Sequence, residues 1–222
     1  AVHSYSYEAM EWAGYEILRR FAQLADDPQT LAVALAIRDQ ERSMMERLVQ
    51  HFDAVEKISH GGIPPPEMRN HLRRHLQEAH ALEIQSSNMT KKARENAKDA
   101  LFSDVCDQHF QASRKHAKIL EEQLNLLGVK PAKIDDSALG FGGWNWSFFF
   151  KLHSDTPVKL AGFAYAHEQL KAAGYELLAR TAKTARDADL GEICANLVNE
   201  QRIMAEGVAA TFDSVVQTTL AT

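Results

Sequence analysis

Two cysteines, six prolines and eleven glycines are all that 222 residues contain of these types. Two thiols, Cys106 and Cys194, are too few for a disulfide framework or a cysteine-rich metal site, and they fit a reducing, cytoplasmic setting. Basic charge is not in excess: 25 Lys+Arg face 30 Asp+Glu, for a formal net charge of −5. That argues against nucleic acid or an anionic membrane as partner. No apolar run approaches the roughly 20 residues needed to span a bilayer. Nor does a basic segment followed by an apolar one open the chain as a signal peptide would. With 45% apolar and 25% charged residues, the composition is that of a folded chain, long enough to bury a full core.

The helix breakers are clustered as well as few. No glycine lies between Gly62 and Gly128, and no proline between Pro66 and Pro131. Such a stretch reads as long helices. Apolar residues at helical spacing (Met10, Ala13, Ile17, Phe21, Leu24) predict a first helix over 4–25. Asp27-Pro28 then supplies an N-cap and a first-turn proline for a second helix, 28–58. The run Gly61-Gly62-Ile63-Pro64-Pro65-Pro66 separates it from a third helix reaching about Lys92, with a fourth over 95–127. Residues 130–156 form an aromatic-rich connector with a short helix near Trp146–His153. Its Trp144–Phe150 cluster is expected to be buried, since exposed it would invite aggregation. A fifth helix over 158–185 and a sixth over 187–216 complete an all-α reading.

The chain repeats itself at an offset of 160 residues. Ala13-Gly14-Tyr15-Glu16 returns as Ala173-Gly174-Tyr175-Glu176, and Phe52-Asp53 as Phe212-Asp213. Over 5–55 against 165–215, 17 of 51 positions are identical without a gap. The first and third hairpins are therefore copies. The organisation expected is an N-terminal hairpin (1–60) repeating 161–220, followed by a four-helix bundle (61–222). The duplication also suggests that a further hairpin precedes Ala1.

Helical hairpins with inward carboxylates raise the possibility of a di-metal site. Such a site draws a Glu from two helices and a Glu-x-x-His from each of the other two. The chain has no Glu-x-x-His; the nearest substitutes are Cys106-x-x-His109 and the His109/His116 pair. No Gly-x-Ser-x-Gly elbow or phosphate-cradling loop is present either.

Several segments nevertheless resemble the YciF-like stress proteins of the ferritin-like superfamily. They are Ala79-His80-Ala81-Leu82-Glu83, the stretch His109 to His116, His116 to Glu121, the Leu127-Gly128 ending, Glu168 with Ala172, Ala173 and Tyr175, and Glu200. The likeness spans about 67–222. It implies a ferritin-like bundle in which Glu83, Glu168 and Glu200, with His109 or His116, are the candidate ligands of iron or manganese. Tyr175, and in the repeat Tyr15 and Glu8, would stand behind them. Gln111 and Ala112 replace the paired carboxylates expected on helix four, and Ile203 and Met204 stand where helix six should add a ligand. On helix two, Gln40 aligns with Glu200, with Glu41 beside it.

The plainer reading of these carboxylates pairs them with Arg42, Arg180 or Arg202. It also makes Tyr15, Tyr175, Met44, Met204, Phe52 and Phe212 core residues, leaves most histidines on polar faces, and treats His71, Arg73, Arg74 and His75 as a solvated basic patch. The function expected is that of a bacterial stress-response bundle with a degenerate metal site, leaning away from catalysis and acting by assembly as a homodimer or higher homo-oligomer. The alternative is a working di-iron or di-manganese protein with oxidoreductase or metal-handling activity.

Overall fold

The computed structural model describes residues 1–131 and 157–221. Among them the chain is all α-helix: α1 (Val2–Leu24), α2 (Pro28–Gln50), α3 (Phe52–His60), α4 (Pro65–Asn96), α5 (Ala100–Leu126), α6 (Pro157–Thr184), α7 (Ala188–Ala210) and α8 (Phe212–Leu220). The short helix expected near Trp146–His153, and the burial of the aromatic cluster, lie outside the described residues.

Six long helical stretches are present, but two of them break. The stretch expected over 28–58 is interrupted at His51, and the last at Thr211, which also carries the chain past the expected end at Val216. Both residues keep helical φ and ψ, and their backbone N–H groups turn to carbonyls three residues back, Leu48 and Val208. Immediately after each break, Phe52 and Phe212 enter the core. Apolar spacing runs unchanged through both points, so periodicity does not reveal them. The turn between α4 and α5 lies at 97–99, later than expected, because Asp99 caps α5 by accepting from the Phe102 N–H at 2.8 Å.

The two copies fold alike in detail. Asp27 and Asp187 both cap the following helix, and the residues before them, Asp26 and Arg186, both take a left-handed backbone (φ 51° and 60°). In each turn the capping residue's N–H returns to a carbonyl five residues back, Ala22 or Ala182, at 2.9 Å.

Three hairpins result, α1–α2, α4–α5 and α6–α7, and α6 lies against both α1 and α4. The α1–α6 contact has pseudo-two-fold symmetry. Ser6 Oγ donates to the carbonyl of its own repeat counterpart, Ala166. Away from that point, Arg20 pairs with Asp213 at 2.6 Å while Arg180 pairs with Asp53 at 2.5 Å. The same arginines sit over the rings of Phe212 and Phe52. An apolar cluster built on Tyr5, Ala13, Ile17, Tyr165 and Phe212 fills this contact.

Within α4–α7 a second apolar cluster, Leu72, Leu76, Leu120, Leu124, Leu178 and Leu197, fills the opposite end. Between the two clusters all four helices turn polar residues inward, and there the candidate site lies.

Candidate functional site

One buried layer crosses α4, α5, α6 and α7. α4 contributes Glu83 and Ser86, α5 His109, Ser113 and His116, α6 Glu168, Lys171 and Tyr175, and α7 Gln201; each is buried. The i, i+3 and i+7 spacing of Glu168, Lys171 and Tyr175 puts them on one face of α6. The same logic aligns Glu83 with Ser86, and His109 with Ser113 and His116.

At the centre is the Lys171 ammonium. Its Nζ lies 2.9 Å from Glu168 Oε2 and 3.4 Å from Glu83 Oε2, and donates to Ser86 Oγ and Ser113 Oγ, both at 3.2 Å. The remaining oxygens are engaged as well. Glu83 Oε1 accepts from Tyr175 OH at 2.7 Å and from Gln201 Nε2 at 3.1 Å, and lies 3.5 Å from His116 Nδ1. Glu168 Oε1 lies 3.2 Å from His109 Nδ1. The rim is formed by Glu200, whose half-open carboxylate bridges His116 Nε2 at 2.9 Å and Lys115 Nζ at 3.0 Å.

The electrostatics follow from this crowding. Burial works to raise the carboxyl groups of Glu83 and Glu168, but the Lys171 ammonium overrides it and holds both below the usual carboxylate range, helped by His116 and Tyr175 at Glu83 and by His109 at Glu168. Lys171 is raised in turn: burial opposes its charge, but Glu168 and Glu83 outweigh it. Burial beside Glu83 lifts the Tyr175 phenol well above its ordinary value. His167, buried on the same helix near Lys171, is pushed down to about 4, which keeps its ring neutral. The layer holds two carboxylates, one ammonium, and imidazole, hydroxyl and amide groups around them.

The five candidate ligands, Glu83, His109, His116, Glu168 and Glu200, are thus brought together, with Tyr175 on Glu83. Arg42, Arg180 and Arg202 are not their partners: Arg42 sits over Trp12, Arg180 pairs with Asp53 and Glu176, and Arg202 pairs with Glu176. Reading most histidines as surface residues fails too, since His60, His80, His109, His116 and His167 are buried. Nor is Met44 a core residue; it is exposed.

Tyr15 and Glu8 lie apart from this layer, in the first hairpin. There Glu8 gathers with Glu11 and Glu41 into a cluster of three partly exposed carboxylates. The Glu41 carboxyl, hydrogen-bonded to Glu8, partly desolvated and facing Glu11, is pushed up to about 7. Lys171, Ser86, Ser113 and Gln201 were not among the expected residues. A visible signal for Lys171 was its place three residues after Glu168 in an otherwise apolar stretch of α6.

These features define an all-α bundle with a buried carboxylate–imidazole–ammonium layer at mid-height. The chain belongs to the family described as Domain of unknown function (DUF892), whose profile matches residues 1–59 and again 67–221. It is similar in fold to a protein from Xanthomonas campestris pv. campestris str. ATCC 33913 of known crystal structure, at 20% identity and a TM-score of 0.59, over 70% of this chain and 97% of that one. No curated protein matches the chain. Among the described residues no helix is long and apolar enough to cross a membrane.

Proposed function

We propose that this is a ferritin-like bundle protein of the YciF-like stress type in which an internal ammonium stands where a di-metal centre would be, and that it acts in the cytoplasm by assembly rather than by catalysis. The observation carrying this reading is the place of Lys171 Nζ, between Glu83 and Glu168 and hydrogen-bonded to two serine hydroxyls. A divalent ion coordinated by these carboxylates would lie against that ammonium. The donor set therefore does not fit iron or manganese while Lys171 is seated.

The open face of the first hairpin supports assembly. In the second copy, α4–α5 covers α6–α7; among the described residues no hairpin covers the corresponding face of α1–α2. Leu18 is 38% exposed against 2% for its counterpart Leu178. Val33 and Met44 lie exposed on the same hairpin. The occupant inferred is the same face of a second copy, giving a bundle of two α1–α2 hairpins in an isologous dimer. Protonated Glu41 would lessen the meeting of carboxylates across it.

Elemental analysis of protein purified without chelator tests the central site: no stoichiometric iron or manganese is expected. A full complement that is lost in Glu168→Ala would overturn the reading in favour of a di-metal protein. The di-metal reading rests on the convergence of Glu83, His109, His116, Glu168 and Glu200. Sedimentation tests the assembly: a dimer that dissociates in Leu18→Glu is expected, and a monomer at all concentrations would sink it.

A further inference from the structure

Far from the polar layer, where α3 ends and α4 begins, three histidines meet. His60 is the last residue of α3, and His71 and His75 are one turn apart on one face of α4. One ring nitrogen from each lies within 4.8 Å of those of the other two. The rings are packed edge to face, with centroids 5.3 Å apart for His60–His71 and 6.0 Å for His60–His75. The turn that folds α3 back onto α4 requires glycine. A Cβ on Gly61 would stand 2.6 Å from the Lys57 carbonyl oxygen, and Gly62 has φ +84°.

Two of the three rings are already oriented by carboxylates. His60 Nδ1 lies 3.3 Å from Glu56 Oε1, and Glu56 is itself held by the Thr184 hydroxyl at 2.6 Å. His75 Nδ1 lies 3.2 Å from Glu78 Oε2. In each case the carboxylate accepts a hydrogen bond from Nδ1–H and leaves the Nε2 lone pair to face a metal, the arrangement that fixes metal-ligating histidines. His71 differs: its Nδ1 accepts from Arg74 Nη2 at 3.2 Å, a contact it would exchange for the metal. A cleft of about 1000 Å³, lined by Glu56, Lys57, His60, Arg69, Arg73 and Arg186, opens beside His60, and the rings of His71 and His75 are themselves partly exposed.

We propose that His60, His71 and His75 form a zinc site that staples the first hairpin to the start of the bundle. An all-imidazole donor set suits zinc and its late first-row neighbours, and not calcium or magnesium. With Zn–N bonds of about 2.0–2.1 Å the nitrogens close to roughly 3.3 Å, reached by rotation of the partly exposed rings of His71 and His75. The fourth position is left to water. The inference is independent of the reading of the Lys171 layer, since none of its residues is shared.

The test is calorimetric titration of the whole metal-free chain with Zn2+, with the absorption of the Co2+ form as a second readout. One ion per chain is expected, with the visible bands of a four-coordinate cobalt–imidazole complex and a rise in Tm. The double variant H71Q/H75Q, at partly exposed positions, should keep the metal-free Tm and bind at least 100-fold more weakly. Glu11→Gln, in the acidic cluster of the first hairpin, should bind as the native protein does. Absence of stoichiometric uptake, or uptake that persists in H71Q/H75Q, would overturn the proposal.

Discussion

Glu11 and Lys171 stand at the same position in the two copies of one helical hairpin and carry opposite charge. In the second copy the ammonium is enclosed by Glu83 and Glu168. In the first, the carboxylate joins Glu8 and Glu41 in a partly exposed cluster. One duplicated hairpin therefore presents two different sites, according to which side chain occupies this position and whether another hairpin covers it.

Replacing Lys171 with Met should be severely destabilising. It leaves two buried carboxylates without their cation, at a cost of about 3–5 kcal/mol. In the native protein both carboxylates are held low, so their stabilising contribution is present above about pH 4.3 and is lost as pH falls further. In Lys171→Met, burial acts unopposed by the ammonium and works to raise them, so stability should instead fall as pH rises above the ordinary carboxylate range. Urea denaturation at several pH values measures both slopes. A variant that is as stable as the native protein at pH 7 would contradict the ammonium's role.

Tyr175→Phe removes the 2.7 Å hydrogen bond to Glu83 with almost no change of volume. Because the acceptor is charged and buried, the expected loss is about 2 kcal/mol. Gln201 still donates to the same oxygen, so the fold should persist. Chemical denaturation reads the difference.

Glu41→Gln tests the acidic cluster. The folded carboxyl, near 7, lies above its ordinary 4.5, so the contribution of Glu41 to stability should fall as pH rises between those values and be level outside them. The glutamine variant should lack that slope. At pH 8 it should be more stable by about 1 kcal/mol, after allowance for solvent screening. Thermal melts across pH 4 to 8 decide it.

Ala13→Leu probes the contact between the copies. Ala13 is fully buried, and a Cβ placed on Gly162 would lie 3.9 Å from its own Cβ, so α1 and α6 approach too closely for added methylenes. Overpacking should cost about 1–3 kcal/mol. Ala32, on the exposed side of α2, should accept leucine with little change. Equal effects at the two positions would argue against the close approach.

The helical class, the six long stretches and the duplication were legible in the sequence, because each depends on local rules. Breakers delimit helices, capping aspartates start them, and an offset comparison needs no third dimension. Asp27 and Asp187 could be read as caps because a cap acts within its own turn. The carboxylates and histidines of the polar layer were also visible, since their spacing places them on single helix faces. What those side chains meet was decided only by packing. Lys171 could be seen as a charge beside Glu168, yet whether it faces solvent or two carboxylates depends on α4 and α5, more than fifty residues away in sequence. The breaks at His51 and Thr211 are of the same kind, since the apolar period does not change there and the bend is set by where Phe52 and Phe212 enter the core. Sequence alone determined an all-α chain with two copies of one hairpin. The tertiary structure decided that the copies pack about a pseudo-two-fold, that an ammonium sits among the buried carboxylates, and that His60 faces His71 and His75, because each is a contact between segments whose separation along the chain carries no local signal.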